Sequence, residues 1–234
     1  MRTLSFASLL LVAQLALCQE PTTKNESTQK TIRLKDLPEP PKEIARLIDS
    51  GEVTFATGGE PQLDARGFPS GINIVGETRF DSKYHYNSNA QWNVNGSSVE
   101  IKVRFRSLRL VTKHVVWLKE VPGPEAFWTD RVVLHEFDHV RISTDKRIES
   151  QFFKEVRKLS SFVVPASRVV TNGRVDNAKI QRAIRERVKE SFERISDYVR
   201  IRYRELDRVT RHGLLPIPQN FDEEASASST NVGR

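Results

Sequence analysis

Arg131–Val140 reads RVVLHEFDHV, and the spacing of His135, Glu136 and His139 within it, H-E-x-x-H, decides how the rest of the chain is read. On a helix, residues four apart stand one turn above the other on the same face, so His135 and His139 can share one Zn2+. Glu136 lies about 100° further round, outside the ligand column but within reach of a water on the metal. Its carboxylate can take the proton of that water while the oxygen attacks a peptide carbonyl. The same residues could also be two helical histidines facing solvent or satisfied in a core, and the flanking sequence favours the metal. Pro122-Gly123-Pro124 breaks the chain upstream, and Glu125 and Asp130 put negative charge in the early turns, where a helix dipole welcomes it. Val133, Phe137, Val140 and Thr144 form an apolar stripe nearly opposite the histidines, which predicts a helix with its core on one side and its metal on the other.

Outward from this helix the chain divides by pattern. Met1–Cys18 has a charged start at Arg2, an apolar run over Leu4–Leu17 too short for a membrane span, and a small-x-small cleavage site at Ala16-Leu17-Cys18. It predicts export to the periplasm or beyond, with acylation of Cys18 the lesser alternative because Leu17 is bulky for a lipoprotein site. Cys18 is the only cysteine, so the mature chain has no disulfide. Residues 19–41 read as a flexible lead-in, and Lys42–Ser50 as a short helix ended by Gly51. Residues 52–119 show period-two patterning, with Asn95-Gly96 as a hairpin turn between Tyr84–Val94 and Ser98–Arg106. After Ser107 the apolar parity flips to Leu108 and Leu110, which predicts a bulge there. The HExxH helix is expected over residues 125–159 and a second long helix over 176–212, with Gly213 as its C′ residue. Residues 217–234 read as a disordered tail.

The net charge of +7 and pI near 9.6 suggest attraction to anionic surfaces such as envelope polymers or acidic lipids. The chain has no Gly-rich phosphate loop and no aromatic-basic RNA signature, which argues against nucleic acid.

A catalytic zinc site needs a third protein ligand. On a continuing helix Asp145 would sit about 9 Å along the axis from His139 and about 100° off the histidine face, and Glu149 and Glu155 fail by the same geometry. The ligand is therefore expected from another element, most simply the second helix or its end. Glu193, ahead of Asp197, is the fallback on that helix. His85 and His114 read as plain sheet residues, and Tyr84, Tyr86 and Tyr203 as oxyanion stabilisers among which the spacing does not choose.

Tyr203–Gly213, YRELDRVTRHG, resembles the D-x-x-T-x-H-G signature of a bacterial domain family described, from its motif, as secreted zinc-dependent proteases. Gln91-Trp92-Asn93-Val94, the HExxH helix and Asp207–Gly213 match that family in order, over about Gly76 to Pro216. The chain departs from it in having Leu206 where a Tyr is frequent, in lacking a cysteine pair, and after Gly213. The resemblance implies His135, His139 and His212 as zinc ligands with Glu136 as base. Asp207 could then orient a histidine, or pair on the surface with Arg211.

These readings predict an α+β fold over residues 42–216, an antiparallel sheet against two long helices with a zincin-like metal site between them. The expected activity is secreted, zinc-dependent hydrolysis of a peptide or protein substrate. The alternative is a non-catalytic envelope module in which zinc only staples the helices.

Overall fold

A two-residue turn at Gly96-Ser97, with Gly96 at φ +58°, closes a hairpin much longer than its alternating core predicts. In the computed structural model, which describes residues 29–61, 74–219 and 221, strands β3 (Gly76–Asn95) and β4 (Ser98–Leu118) pair antiparallel along their whole length. The register shifts between His85 and Asn87, opposite Ser107 and Leu108, and Ser107 has φ +53°. This is the predicted bulge, and it restores the parity that the sequence breaks.

The sheet is mixed rather than wholly antiparallel. Strand β2 (Val53–Thr57) follows helix α1 (Lys42–Ser50) and lies parallel to the end of β4, with Val53 opposite His114. Strand β1 (Lys30–Ile32) pairs antiparallel with β2, so part of the expected lead-in is structured. Its order comes from burial next door: Ile32 and Leu37 pack on the cluster around Phe55, and Trp128 Nε1 donates to the Pro38 carbonyl. Met1–Cys18 and most of the expected tail lie outside the described residues.

The expected helix over 125–159 is a short 3-10 turn (Phe127–Thr129) and then two helices, α2 (Arg131–Ser143) and α3 (Lys146–Lys158). Each start has its cap: the Asp130 carboxylate accepts from Val132 N and Val133 N, and that of Asp145 from Arg147 N. Asp145 is thus the N-cap of α3, a role that a reading of one continuous helix could not reveal. Val133, Phe137 and Val140 of α2 are buried against β2, β4 and α1, and burial of each contributes roughly 1.5–3 kcal/mol.

After α3 the presumed connection holds strand β5 (Ser161–Pro165), which pairs with β4 on the side away from β3. One turn of helix, α4 (Ala166–Val169), and a two-stranded ribbon, β6 (Val170–Thr171) with β7 (Arg174–Val175), complete it. Helix α5 (Asn177–Thr210) then runs back, and its Ile180, Ile184, Val188, Ile195 and Val199 share a second core with α3 and the inner face of the hairpin. Phe152 meets Phe192, Ser143 meets Tyr203 and His139 meets Asp207. The detour through β5 starts α5 well below the end of α3, which brings its C-terminal turn, rather than the fallback residues Glu193 and Asp197, level with the histidines.

Helix α5 ends at Thr210, and Arg211 rather than Gly213 is the capping residue; Arg211, His212 and Gly213 all have positive φ. In the expected tail, Phe221 is buried with Arg202 over its ring. Among the described residues no helix is long and apolar enough to cross a membrane.

The capping role of Asp145 predicts that Asp145→Ala lowers stability in urea unfolding by about 1 kcal/mol, whereas Asp145→Asn retains most of it. Equal loss in the two variants would deny the cap.

Candidate metal centre

Two imidazoles and a carboxylate converge where α2 meets the end of α5. Asp207 Oδ1 lies 3.0 Å from His135 Nε2 and 3.1 Å from His139 Nε2. All three donor atoms lie within 4.8 Å of one another, with both histidines buried and Asp207 partly so. Two ligands each about 2.0–2.1 Å from a tetrahedral ion stand about 3.3 Å apart, so the spacing suits a shared cation. The group could hold a metal ion, and its nitrogen-and-oxygen donor set suits a divalent one.

The sequence places Asp207 behind a histidine; in the structure it is itself the third converging donor. His212, the ligand implied by the family resemblance, is at the edge. Its Nδ1 lies 3.5 Å from Asp207 Oδ1, its side chain is 40% exposed, and it stands outside the mutually close set. Glu193 and Asp197 are exposed and paired along α5 with Lys189 and Arg200, so neither reaches the histidines. His85 is exposed on β3, away from this centre.

Glu136 is 3% exposed and packs against β3. Its Oε2 accepts a 2.7 Å hydrogen bond from Thr78 Oγ1. Gly76 leaves the room for this: a Cβ there would stand 2.6 Å from Glu136 Oε1 and 2.5 Å from Val132 Cγ1. Burial pushes the Glu136 carboxyl up from its ordinary value, against the pull of His139, His135 and the Thr78 hydroxyl. Burial also acts against ionisation of Asp207, but the hydrogen bonds from His135 and His139 outweigh it and hold that carboxyl well below the usual range. For His139, burial is overcome by the Asp207 hydrogen bond and by Glu136, and its imidazole is raised. Because a carboxylate only accepts, both Nε2 atoms donate to Asp207, and both Nδ1 atoms are buried without a hydrogen-bond partner among the described residues.

Close approach at the end of α5 depends on Gly213. Its φ is +79°, and a Cβ would lie 2.8 Å from that of His135. Arg131, at the start of α2, donates to the carbonyls of Gly213 and Leu214 and ties the reversed chain down.

Of the three tyrosines, only Tyr203 reaches the centre. Its ring lies 4.4 Å from that of His139, while Tyr84 and Tyr86 pack among Phe152, Phe192 and Phe105. Tyr203 donates to Ser143 Oγ at 2.8 Å, and Ser143 Oγ lies 2.6 Å from His114 Nε2. His114 Nδ1 lies 2.6 Å from the Gly51 carbonyl, which can only accept, so Nδ1 carries the proton and Nε2 takes the Ser143 hydroxyl. A directed chain therefore runs from Tyr203 through Ser143 and His114 to Gly51. Burial pushes the Tyr203 phenol well above its ordinary value, which keeps it a donor at neutral pH. The sequence offers no signal for this chain, because its members lie on four separate elements.

Burial, opposed by the Gly51 hydrogen bond, lowers the His114 pKa below its ordinary value near 6.5. Below that value the unfolded chain takes up a proton that the folded chain refuses, so the stability associated with neutral His114 is lost as pH falls from about 6.5 through the lower folded value. Urea unfolding at pH 7.5 and 5.5 should show a smaller pH effect for His114→Gln than for wild type. Thr78→Val should leave metal content unchanged and lower any hydrolytic activity about tenfold, by freeing the Glu136 carboxylate to turn. No family model, curated protein or solved structure matches the chain.

Proposed function

We propose that the chain is a zinc-dependent hydrolase of peptide bonds with a zincin-like centre. Glu136 carries this reading: a buried carboxylate, held by the Thr78 hydroxyl beside two histidines of one helix turn. A site that only stapled helices has no use for such a group, whereas hydrolysis needs a base there. The order of the HExxH and D-x-x-T-x-H-G motifs supports the same reading, and the Met1–Cys18 sequence supports action outside the cytoplasm.

His135, His139 and Asp207 would hold the ion, which when bound supplies Lewis acidity, polarising a carbonyl and making water more acidic. Thr78 occupies Oε2 of Glu136, leaving Oε1, above Gly76, to take the proton of the attacking water and return it to the departing amine. Asp207 holds both imidazoles with Nε2 turned inward. Tyr203 packs on His139 and limits rotation of its ring.

The second reading, a structural zinc module, draws on His212, whose Nδ1 at 3.5 Å from Asp207 offers a fourth donor that would close the site.

Purified protein should carry about one Zn2+ per chain, and a chelator should lower its Tm. Glu136→Gln should keep the zinc and lose peptide hydrolysis by a factor on the order of 10² or more. Asp207→Ala should lose zinc, as should His135→Ala, while His212→Ala keeps it. Loss of zinc in His212→Ala alone would restore the ligand set implied by the family resemblance. Equal inertness of wild type and Glu136→Gln on a peptide library would favour the structural module.

A further inference from the structure

The outer face of the hairpin, turned away from the helices, carries a column of basic side chains that the metal centre does not use. The cross-strand register places Lys102 opposite Gln91, Arg104 opposite Asn89, Arg106 opposite Asn87 and Arg109 opposite His85. All eight residues are exposed. Arg109 falls three residues after Arg106, and on a regular strand it would point inward. The bulge at Ser107 and Leu108 returns it to the outer face, so the four cations stand in one line. Alternate residues of a strand are about 6.8 Å apart, which gives a column about 20 Å long.

The column is short of counter-charge. Lys102 has Glu100 at 3.8 Å at one end, and beyond the other end Lys83 pairs with Asp81 and Lys113 with Glu52. Arg104, Arg106 and Arg109 make no ion pair among the described residues. Like charges in neighbouring rungs repel, and an anionic ligand would relieve that repulsion.

The geometry points to this face as a docking site for an extended anionic polysaccharide, one carrying sulfate, phosphate or carboxylate groups at regular intervals. Arginine forks fit such groups with paired hydrogen bonds, and the neighbouring amides of Asn87, Asn89 and Gln91 offer donors and acceptors suited to sugar hydroxyls. Single-stranded nucleic acid fits less well, because bases need aromatic platforms and the hairpin's Tyr84, Tyr86 and Phe105 face the helix side. A bilayer fits less well, because no large apolar side chain stands in the column to enter it. The site is independent of the metal centre, and it would hold the protein on a charged matrix with the helix side free.

Binding to a sulfated polysaccharide (heparin), to an unsulfated uronate polymer (polygalacturonate), to phosphatidylglycerol vesicles and to a single-stranded oligonucleotide tests this at moderate salt. Two triple variants of the full chain are compared with wild type. Arg104→Gln/Arg106→Gln/Arg109→Gln removes the column, and Lys146→Gln/Lys154→Gln/Arg157→Gln removes equal charge from exposed positions on α3. The column variant should lose on the order of tenfold or more in affinity for at least one polysaccharide, and the α3 variant less than about threefold, with unchanged circular dichroism in both. Arg104→Lys/Arg106→Lys/Arg109→Lys, which keeps charge but not the forks, should fall between, and it carries the test if the Gln variant does not fold. Equal losses in the column and α3 variants would overturn the proposal in favour of bulk charge. Tighter binding to vesicles or oligonucleotide than to either polysaccharide would overturn it in favour of those partners.

Discussion

One carboxylate oxygen, Asp207 Oδ1, faces the inward nitrogens of both α2 histidines and so joins the end of α5 to the middle of α2. Burying two imidazoles and Glu136 within a few ångströms removes three polar groups from water, which costs several kcal/mol unless each finds a partner. Asp207 supplies the partner for both Nε2 atoms and Thr78 the partner for Glu136, while the two Nδ1 atoms have none among the described residues. The backbone makes room at two places, Gly76 beside the glutamate and Gly213 beside His135. The rest of the architecture serves this junction. The Phe55–Phe137 core seats α2 on the sheet, and the hairpin core seats α3 and α5.

Local pattern made the frame legible. The bounds of α1, the alternation of β4 and its flip after Ser107, the stripe of α5 and the α2 face formed by Val133, Phe137 and Val140 all follow from periodicity within one element. Partners from distant segments are where that reading ran short. Strand β1 needs β2 to exist, β5 needs the free side of β4, and the parallel pairing of β2 with β4 depends on a crossover that no local pattern encodes. The helix break at Thr144-Asp145 is hidden for a related reason. Along one continuous helix Asp145 reads only as a ligand out of reach, whereas its side chain does what short acidic residues do at helix starts.

The candidate site shows the same division. The histidine pair and Glu136 lie within one helical turn and could be read directly. The third donor could not. Asp207 and His212 both lie in the motif at the end of α5, but Asp207 is still helical whereas His212 is one of three residues with positive φ that turn the chain. The helix aims Asp207 at the histidines, and the turn beyond it leaves His212 half outside. Thr78, Ser143 and His114 carried no signal, since a hydroxyl or a sheet histidine acquires its meaning only from what folds against it.

The two-residue turn of the hairpin bears on the order in which the molecule assembles. Pairing can spread outward from Gly96-Ser97 one rung at a time, each rung closing little new loop, and hairpins form within about 1–10 μs. The donors meet across far longer stretches, since Asp207 is 72 residues from His135 and 68 from His139. Closing such loops costs entropy before any contact repays it, so the junction forms late. A cation arriving early would find only the local histidine pair. In a zinc finger the ion drives the folding of its domain; here an ion would meet all three donors only after the hydrophobic cores have assembled.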